Sequence, residues 1–410
     1  MNAAGAEAAD LAYLATPEAI RERAGHIFRR GLDDGLRHFR IDRSRLPAAA
    51  DLVASVTRER FPDLAVPLHS RWRHFTAGGR DRTAELARAL CRHSPDERVR
   101  ARLDLAVTSV LLDAGAGASW TYAEAQTGAE YARSEGLAVA SFRLFEAGLF
   151  SSDPADPWRA DADALERLDD GRLARALSVS PANPLPGLSG RAALLRRLGR
   201  ALRETPELFG KERPRAGNLL DALRERAPDG TLEAAALLGV VLSGLGPIWP
   251  ARLRLGGANL GDVWRHPAAG GRGPTAGLVP FHKLSQWLVY SLIEPLGDAG
   301  LTIAGRDRLT GLAEYRNGGL FLDTGVLVPR HASVTGETHA PGDEVVVEWR
   351  ALTVCLLDRL VPLLRGRLGR GDLSLGEMLE GGTWAAGRRL AAERRAGAPP
   401  IRVDTDGTVM

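Results

Sequence analysis

Pro280-Phe281-His282-Lys283-Leu284-Ser285-Gln286-Trp287-Leu288-Val289-Tyr290-Ser291-Leu292-Ile293-Glu294-Pro295 begins and ends on proline. Proline suits the first position of a helix, where its missing N–H costs nothing, and interrupts a helix further along. The spacing predicts a helix over 281–294 that stops at Pro295. Leu284, Leu288 and Leu292 recur every fourth residue and form one apolar face. His282 and Gln286 share a second face one turn apart, and Lys283, Trp287 and Tyr290 lie on the next. A leucine face beside a polar, aromatic stripe describes a core helix with one side turned to a cavity, where it could stack a planar ligand and bond its edge.

The same punctuation recurs in both directions. Thr16-Pro17-Glu18 opens a helix to about Arg30, and Pro47–Arg60 reads as the next. Thr83–Arg92, Glu97–Leu112 and Glu135–Glu146 follow, the last capped by Ser134 with Gly148 beyond its end. Ser189 caps a helix through Arg203, and Leu232–Leu245 is another. Glu348–Arg367 is long and amphipathic, and Gly376–Glu380 and Trp384–Arg394 come last. Strand signals are few. Val345-Val346-Val347 is β-branched but runs into a helical pattern, and Leu320–Val328 reads as a short strand. Strands do not alternate with helices, which argues against a doubly wound sheet. The expected fold class is mainly α, with an N-terminal helical segment over 1–63 packed on a single helical catalytic domain over 64–410. Only Pro267–Thr275 and Arg330–Asp343 have the composition of linkers.

Composition narrows the function classes. The 410 residues are 44% hydrophobic and 26% charged, a balance that excludes disordered and fibrous chains. With 54 basic against 51 acidic residues the net charge is +3, which leaves no electrostatic footprint for nucleic acid. Cys91 and Cys355 lie far apart and form no CxxC, so neither a disulfide framework nor a cysteine zinc site is expected. Met1–Asp10 lacks the basic-then-apolar pattern of a signal peptide. The uncharged run Ala234–Pro250 is short for a membrane span and is broken by Gly239, Gly244, Gly246 and Pro247. The expectation is a cytoplasmic protein that binds neither nucleic acid nor membrane.

The amino-acid bias carries its own signal. Among the 54 basic residues only Lys211 and Lys283 are lysine, and glutamine occurs only at Gln126 and Gln286. Where composition favours arginine this strongly, a remaining lysine marks a place that needs a compact ammonium. Rare types gather at Trp249, Asn259, Trp264, His266, His282, Lys283, Gln286, Trp287 and Tyr290, then at Tyr315 and Asn317.

Several motifs compete for chemistry. Asp113-Ala114-Gly115-Ala116-Gly117-Ala118 has the glycines of a phosphate loop but follows a helix, and a dinucleotide fingerprint needs a preceding strand. Its Asp113 remains a candidate beside a pocket. His69-Ser70-Arg71-Trp72-Arg73-His74-Phe75 has poor spacing for a metal pair, whereas Arg71 and Arg73 suit the grip of a phosphate or carboxylate. The bland alternative is an arginine–aromatic stack on the surface. Arg133-Ser134-Glu135-Gly136 opens a helix, whose N-terminus either binds an anion or is simply capped. Glu314-Tyr315-Arg316-Asn317-Gly318-Gly319, with Asp323 beyond, is the best carboxylate candidate, its competitor being a loop salt bridge. No GxSxG, Cys–His or Walker signature is present.

Several strings together resemble the uracil catabolism protein 4 family of fungi and bacteria. They are Leu111-Leu112-Asp113-Ala114-Gly115-Ala116-Gly117, Arg133-Ser134-Glu135-Gly136-Leu137-Ala138, Gly148-Leu149-Phe150-Ser151-Ser152-Asp153-Pro154, Leu245-Gly246-Pro247-Ile248-Trp249-Pro250, Phe281-His282-Lys283-Leu284-Ser285-Gln286-Trp287 and Glu380-Gly381-Gly382-Thr383-Trp384-Ala385-Ala386-Gly387-Arg388. The resemblance runs from about Leu64 to Asp406-Gly407-Thr408. It implies a uracil degradation route in which uracil becomes a nucleotide and its ring is opened, with urea or a ribosylurea released. A cyclohydrolase-like ring-opening enzyme and a uracil phosphoribosyltransferase are then the implied pathway partners.

A second, mechanistic resemblance is to queuosine 5'-phosphate N-glycosidases, which are helical and similar to DNA glycosylases. Phe281-His282-Lys283-Leu284-Ser285-Gln286, the run Leu309-Thr310 through Ala313-Glu314-Tyr315-Arg316, Gly325-Val326-Leu327 and Val347-Glu348-Trp349-Arg350-Ala351 carry it. Here Glu314 stands where those enzymes have aspartate, and His282 where they have tyrosine.

The expected activity is metal-independent and cofactor-free hydrolysis of an N-glycosidic bond in a ribosyl or ribosyl-phosphate compound. Such cleavage makes an oxocarbenium-like ribose, which a carboxylate stabilises while it orients water. Glu314 is the first candidate for that role and Asp323 the second. Lys283 and Arg316 would hold phosphate or ribose oxygens, and His282, Gln286 and Trp287 would read or stack the leaving group. Tyr315, Asp262, Asp113, Arg71 and Arg73 complete the substrate-binding candidates. Two alternatives stay open: an amidohydrolase acting on the opened ureido chain, and a non-catalytic ligand-binding partner of the ring-opening enzyme.

Overall fold

The computed structural model describes residues 3–113, 115–117 and 119–404. Ala114 and Ala118 of the glycine-rich loop, and Asp406-Gly407-Thr408, lie outside the described residues. The chain is mainly α-helical, with eighteen α-helices and twelve short strands among the described residues. Among the described residues the strands form six two-stranded ribbons and no larger sheet.

The helices begin where short polar side chains can close their free N–H groups. Thr16 accepts from Ala19 N at the start of Pro17–Leu32, Ser94 from Glu97 N at the start of Pro95–Leu112, and Asp81 from Ala84 N at the start of Arg82–Ala89. Glu344–Leu368 is the spine. Its buried faces pack against Pro17–Leu32, Leu46–Arg60 and Tyr315–Asp323. Pro95–Leu112 packs against Lys283–Asp298, Arg133–Glu146 and Leu188–Glu204. One apolar core runs from Ile20 to Ile401 and is continuous across residue 63. Phe39–Ile41 adds to this by pairing antiparallel with Leu327–Pro329. A second, small cluster joins Leu14, Leu260, Val263 and Leu278. Among the described residues no helix is long and apolar enough to cross a membrane.

Three local expectations are corrected. Pro295 does not stop its helix, which runs Lys283–Asp298. Proline cannot donate to the carbonyl four residues back, and the Nε1–H of Trp72 fills that vacancy by donating to Ser291 O at 2.7 Å. Leu320–Val328 is not a strand: Tyr315–Asp323 is helical, and only Leu327–Pro329 is extended. Val345-Val346-Val347 is helical despite its β-branched residues, because all three side chains are buried in the spine. Ser134 and Ser189 cap nothing. Their helices start one residue earlier, at Arg133 and Leu188, and the residues before them, Ala132 and Gly187, give no side-chain cap.

Candidate functional site

Three helices start at one cavity of about 230 Å³, at the small end of ligand pockets. Lys283–Asp298 contributes Lys283 and, one turn on, Trp287. The start of Tyr315–Asp323 contributes Glu314, Tyr315 and Arg316. The start of Arg133–Glu146 contributes Arg133 and Ser134. The backbone of Gly115, Ala116 and Gly117 forms part of the wall beside Asp113. Gly397, Ala398, Pro399, Ile401 and Val403 form another part.

The walls are aromatic. Trp287 stacks near His69, with ring centres 6.1 Å apart and planes 23° apart, and meets His74 edge-on at 5.8 Å. His74 also meets Trp384 edge-on at 5.6 Å. The Arg316 guanidinium lies 4.3 Å over the Trp384 ring and 4.9 Å over Tyr315. Trp384 comes this close because Gly387, one turn on, packs against the Arg316 carbonyl, where a Cβ would collide with backbone.

Two of the three cations that line the cavity have no partner among the described residues, and the third, Arg133, bonds only the Ala396 and Gly397 carbonyls. Lys283 is 8% and Arg316 5% exposed, yet neither side chain makes a hydrogen bond or ion pair to the described residues. The Lys283 ammonium lies 5.7 Å over the Trp287 ring. Burial lowers its pKa below the ordinary lysine value, and the nearby charges of Glu314 and Asp113 recover part of the loss.

The carboxylates divide into three kinds. Glu314 caps its helix, accepting from Asn317 N at 2.6 Å and Arg316 N at 3.0 Å. Each of its oxygens keeps a further lone pair for a ligand or water. Asp113 takes an ion pair from the buried Arg71 at 2.9 Å through one oxygen, while its other oxygen has no partner. Glu380 bonds His69 Nδ1 at 2.8 Å and Arg60 at 2.9 Å. Burial opposes its charge, but His69 and then Arg60 outweigh that, and its pKa falls below the ordinary glutamate value. The bond to Glu380 leaves Nε2 as the His69 nitrogen without a partner among the described residues. A carboxylate behind an imidazole fixes the ring's orientation and supports proton transfer. Burial, then the charges of Arg71 and His69, push His74 well below the ordinary histidine value, so its ring is neutral.

The structure brings together Glu314, Lys283, Trp287, Tyr315, Arg316 and Asp113 from the sequence candidates. Arg71 stands just behind the wall, 5.5 Å over Trp287, holding Asp113 and the Ser134 carbonyl. The others lie elsewhere. His282 turns away and bonds the Leu14 carbonyl at 2.9 Å. Gln286 clamps Thr310, donating to its Oγ1 at 2.7 Å and accepting from its N–H at 2.9 Å. Asp262 holds the helix start from outside the cavity. It accepts from Lys283 N at 3.0 Å and from both Arg350 nitrogens at 2.7 and 2.8 Å. Burial works against that charge, yet Arg350 lowers its pKa to about 2. Arg73 pairs with Glu294, half-buried and away from the cavity lining. Asp323 is bound through both oxygens by Arg395 at 2.8 and 2.6 Å and does not reach the cavity.

Sequence reasoning missed His69, His74, Glu380 and Trp384. The last two sit on a π-helical turn, Leu379–Thr383, and just after it. Gly381 and Gly382 let that turn press against Thr57, Val66 and Val53. Two adjacent glycines inside a helical pattern, between a glutamate and a tryptophan, were the available signal, since such turns recur at functional sites.

The family described as "Protein of unknown function (DUF1688)" matches residues 13–410. Protein urg3 of Schizosaccharomyces pombe is 38% identical over 413 residues, covering 97% of this chain and 98% of that protein. Uracil catabolism protein 4 of Lachancea kluyveri is 38% identical over 434 residues, with the same coverage of 97% and 98%.

Proposed function

Since the chain belongs to the DUF1688 family, we propose that it acts in uracil catabolism, as the name of its Lachancea kluyveri relative says of that protein. Its reaction, in this proposal, is hydrolysis of an N-glycosidic bond in a ribosyl or ribosyl-phosphate intermediate. One observation carries the reading: a carboxylate, Glu314, and two unpaired cations, Lys283 and Arg316, line one small aromatic cavity. The cations suit the phosphate or hydroxyl oxygens of the ribosyl group, and the Trp287 face suits a planar base or urea group. As the bond from C1' to nitrogen breaks, positive charge develops on the ribose and Glu314 lies where it can oppose it. Water then forms the new C1'–O bond and gives up a proton, while the leaving nitrogen gains one. His69, backed by Glu380, is the group suited to supply that second proton.

The two capping bonds of Glu314 support a second reading, a binding site without turnover in which the carboxylate only holds its helix. The deciding experiment incubates purified protein with uridine, UMP, ribosylurea and ribosylurea 5'-phosphate. Release of urea, uracil or ribose is followed by mass spectrometry. Product from one of the four, abolished in the Glu314→Gln variant, is expected. Binding of a compound with no product from any would remove the hydrolase and leave the binder.

A further inference from the structure

A second cluster of polar groups lies outside that cavity, at the junction of the N-terminal segment and the spine helix. His38, Glu344 and Glu348 bring one ring nitrogen and two carboxylate oxygens within 4.8 Å of one another. Glu344 and Glu348 are one turn apart on Glu344–Leu368 and share a face. His38 immediately precedes the strand Phe39–Ile41. Glu348 is fully buried, and its oxygens accept the backbone N–H of Arg37 at 3.2 Å and of His38 at 3.1 Å. Glu344 is half-buried and meets Arg37 only at 3.9 Å.

The histidines here form a relay. His331 bonds Ser333 Oγ through Nδ1 at 2.6 Å and His38 Nδ1 through Nε2 at 2.9 Å. When His38 donates along this relay, its Nε2 carries a lone pair. That atom is buried and makes no hydrogen bond, so neither carboxylate closes on it as an acceptor would on an N–H. One nitrogen lone pair and two carboxylates thus face one another, an arrangement that a cation between them relieves.

An independent observation points the same way. His266 is 2% exposed and its Nδ1 accepts the Ala268 N–H at 3.1 Å, so Nε2 carries the hydrogen. Nε2 is aimed at Glu348 at 3.5 Å and Glu344 at 3.9 Å, and it completes no hydrogen bond. A buried N–H directed at two ligand carboxylates from behind is the outer support that metal sites use to orient their ligands.

We propose that His38 Nε2 and the carboxylates of Glu344 and Glu348 bind one divalent first-row cation of the Zn²⁺ type. One imidazole with two carboxylates matches that chemistry, with water completing the coordination. Bonds of about 2.0–2.2 Å require the three atoms to close further, which the half-exposed Glu344 side chain achieves by rotation. An open groove lined by His331, Ser333, Glu337 and Asp343 gives the ion a way in. The ion ties residue 38 to the spine helix and so fastens the N-terminal segment to the core.

The test uses the full chain, treated with chelator and dialysed. Co²⁺ is titrated and followed by visible absorption, Zn²⁺ is used to displace it, and thermal unfolding is recorded with and without Zn²⁺. One Co²⁺ per chain, displaced by Zn²⁺, and a Tm raised by Zn²⁺ are expected. His38→Gln and Glu344→Gln should each weaken Co²⁺ binding by at least about 10-fold, while Glu337→Gln in the same groove should not. Circular dichroism reports whether each variant folds, and the half-exposed Glu344→Gln decides where His38→Gln does not. No saturable Co²⁺ uptake by the wild type, unchanged uptake in Glu344→Gln, or equal loss in Glu337→Gln would overturn the proposal.

Discussion

Replacing Glu314 with glutamine separates its two possible duties, because the structure assigns a different size to each. As a cap, the carboxylate accepts two backbone N–H groups, at 2.6 and 3.0 Å, in a site where only 6% of the residue is exposed. A glutamine amide offers one acceptor oxygen and turns an NH₂ toward the other N–H. One charge-assisted bond is lost and one buried donor is left open, which costs about 1–3 kcal/mol. Unfolding entropy is about 2.1 cal/mol/K per residue, so a chain of 410 residues should lose roughly 1–4 °C in Tm. If Glu314 also opposes the charge of an oxocarbenium ion or orients water, turnover falls by a factor on the order of 100 or more. That loss should appear in kcat more than in KM, because the charge is needed in the transition state.

The measurements are thermal unfolding of both proteins and initial rates on whichever of the four compounds is the substrate. Glu314→Asp is the companion variant. Aspartate is a good cap and keeps the charge, so it should recover most of the stability, with a partial recovery of rate. A Gln variant with the expected drop in Tm but wild-type turnover would refute the catalytic role and leave Glu314 a cap.

The remaining expectations follow from the same contacts. Asp323→Asn should leave turnover within about 2-fold, since mutations outside the chemistry act mainly on stability; a loss comparable to that of Glu314→Gln would restore Asp323 to the site. Lys283→Met removes a desolvated charge and should raise Tm at neutral pH while weakening substrate binding about 10-fold or more; unchanged KM would exclude the ammonium from the site. Asp262 has a depressed pKa of about 2 against an ordinary 3.8, so its contribution is present above pH 4 and fades as pH falls toward 2. Asp262→Asn should therefore be destabilised by about 2–3 kcal/mol at neutral pH, from unpairing the buried Arg350 from the half-buried Asp262, and should lose part of the wild-type stability change between those pH values. A pH profile unaltered by the substitution would refute the assignment.

What was legible in the sequence depended on range. Helix starts marked by Thr16-Pro17 and by Pro47 are short-range signals, and they place their helices within a residue or two of those observed. Pro295 misled because the vacancy it opens is filled by Trp72, a residue more than 200 positions away that no local pattern could nominate. The segment Leu320–Val328 misled for a related reason: its helix depends on the Glu314 cap and on buried Leu320 and Phe321. At the site, the scarcity of lysine singled out Lys283, and the carboxylate beside Tyr315 and Arg316 singled out Glu314. His282 and Gln286 shared the same helix, but their face of it turns toward Leu14 and Thr310. Helical periodicity sorts residues into faces without saying which face meets a cavity and which meets another loop.

The charge of the cavity constrains its ligand further. Arg71 offsets Asp113, and Arg60 with His69 engages Glu380. That leaves Glu314 against Lys283, Arg316 and Arg133, whose guanidinium bonds only the Ala396 and Gly397 carbonyls, an excess of two positive charges. The start of Arg133–Glu146 adds to it, because its first N–H groups have no side-chain cap and the positive end of its dipole opens onto the same space. Buried cations without partners are costly in the free protein and persist where a ligand supplies the missing anion. Phosphorylated members of the substrate panel should therefore bind more tightly than their unphosphorylated counterparts. The difference should shrink in Lys283→Met, since the ammonium is one of the cations that face the anion. Equal affinity for uridine and UMP, and for ribosylurea and its 5'-phosphate, would mean that the cations hold ribose hydroxyls instead.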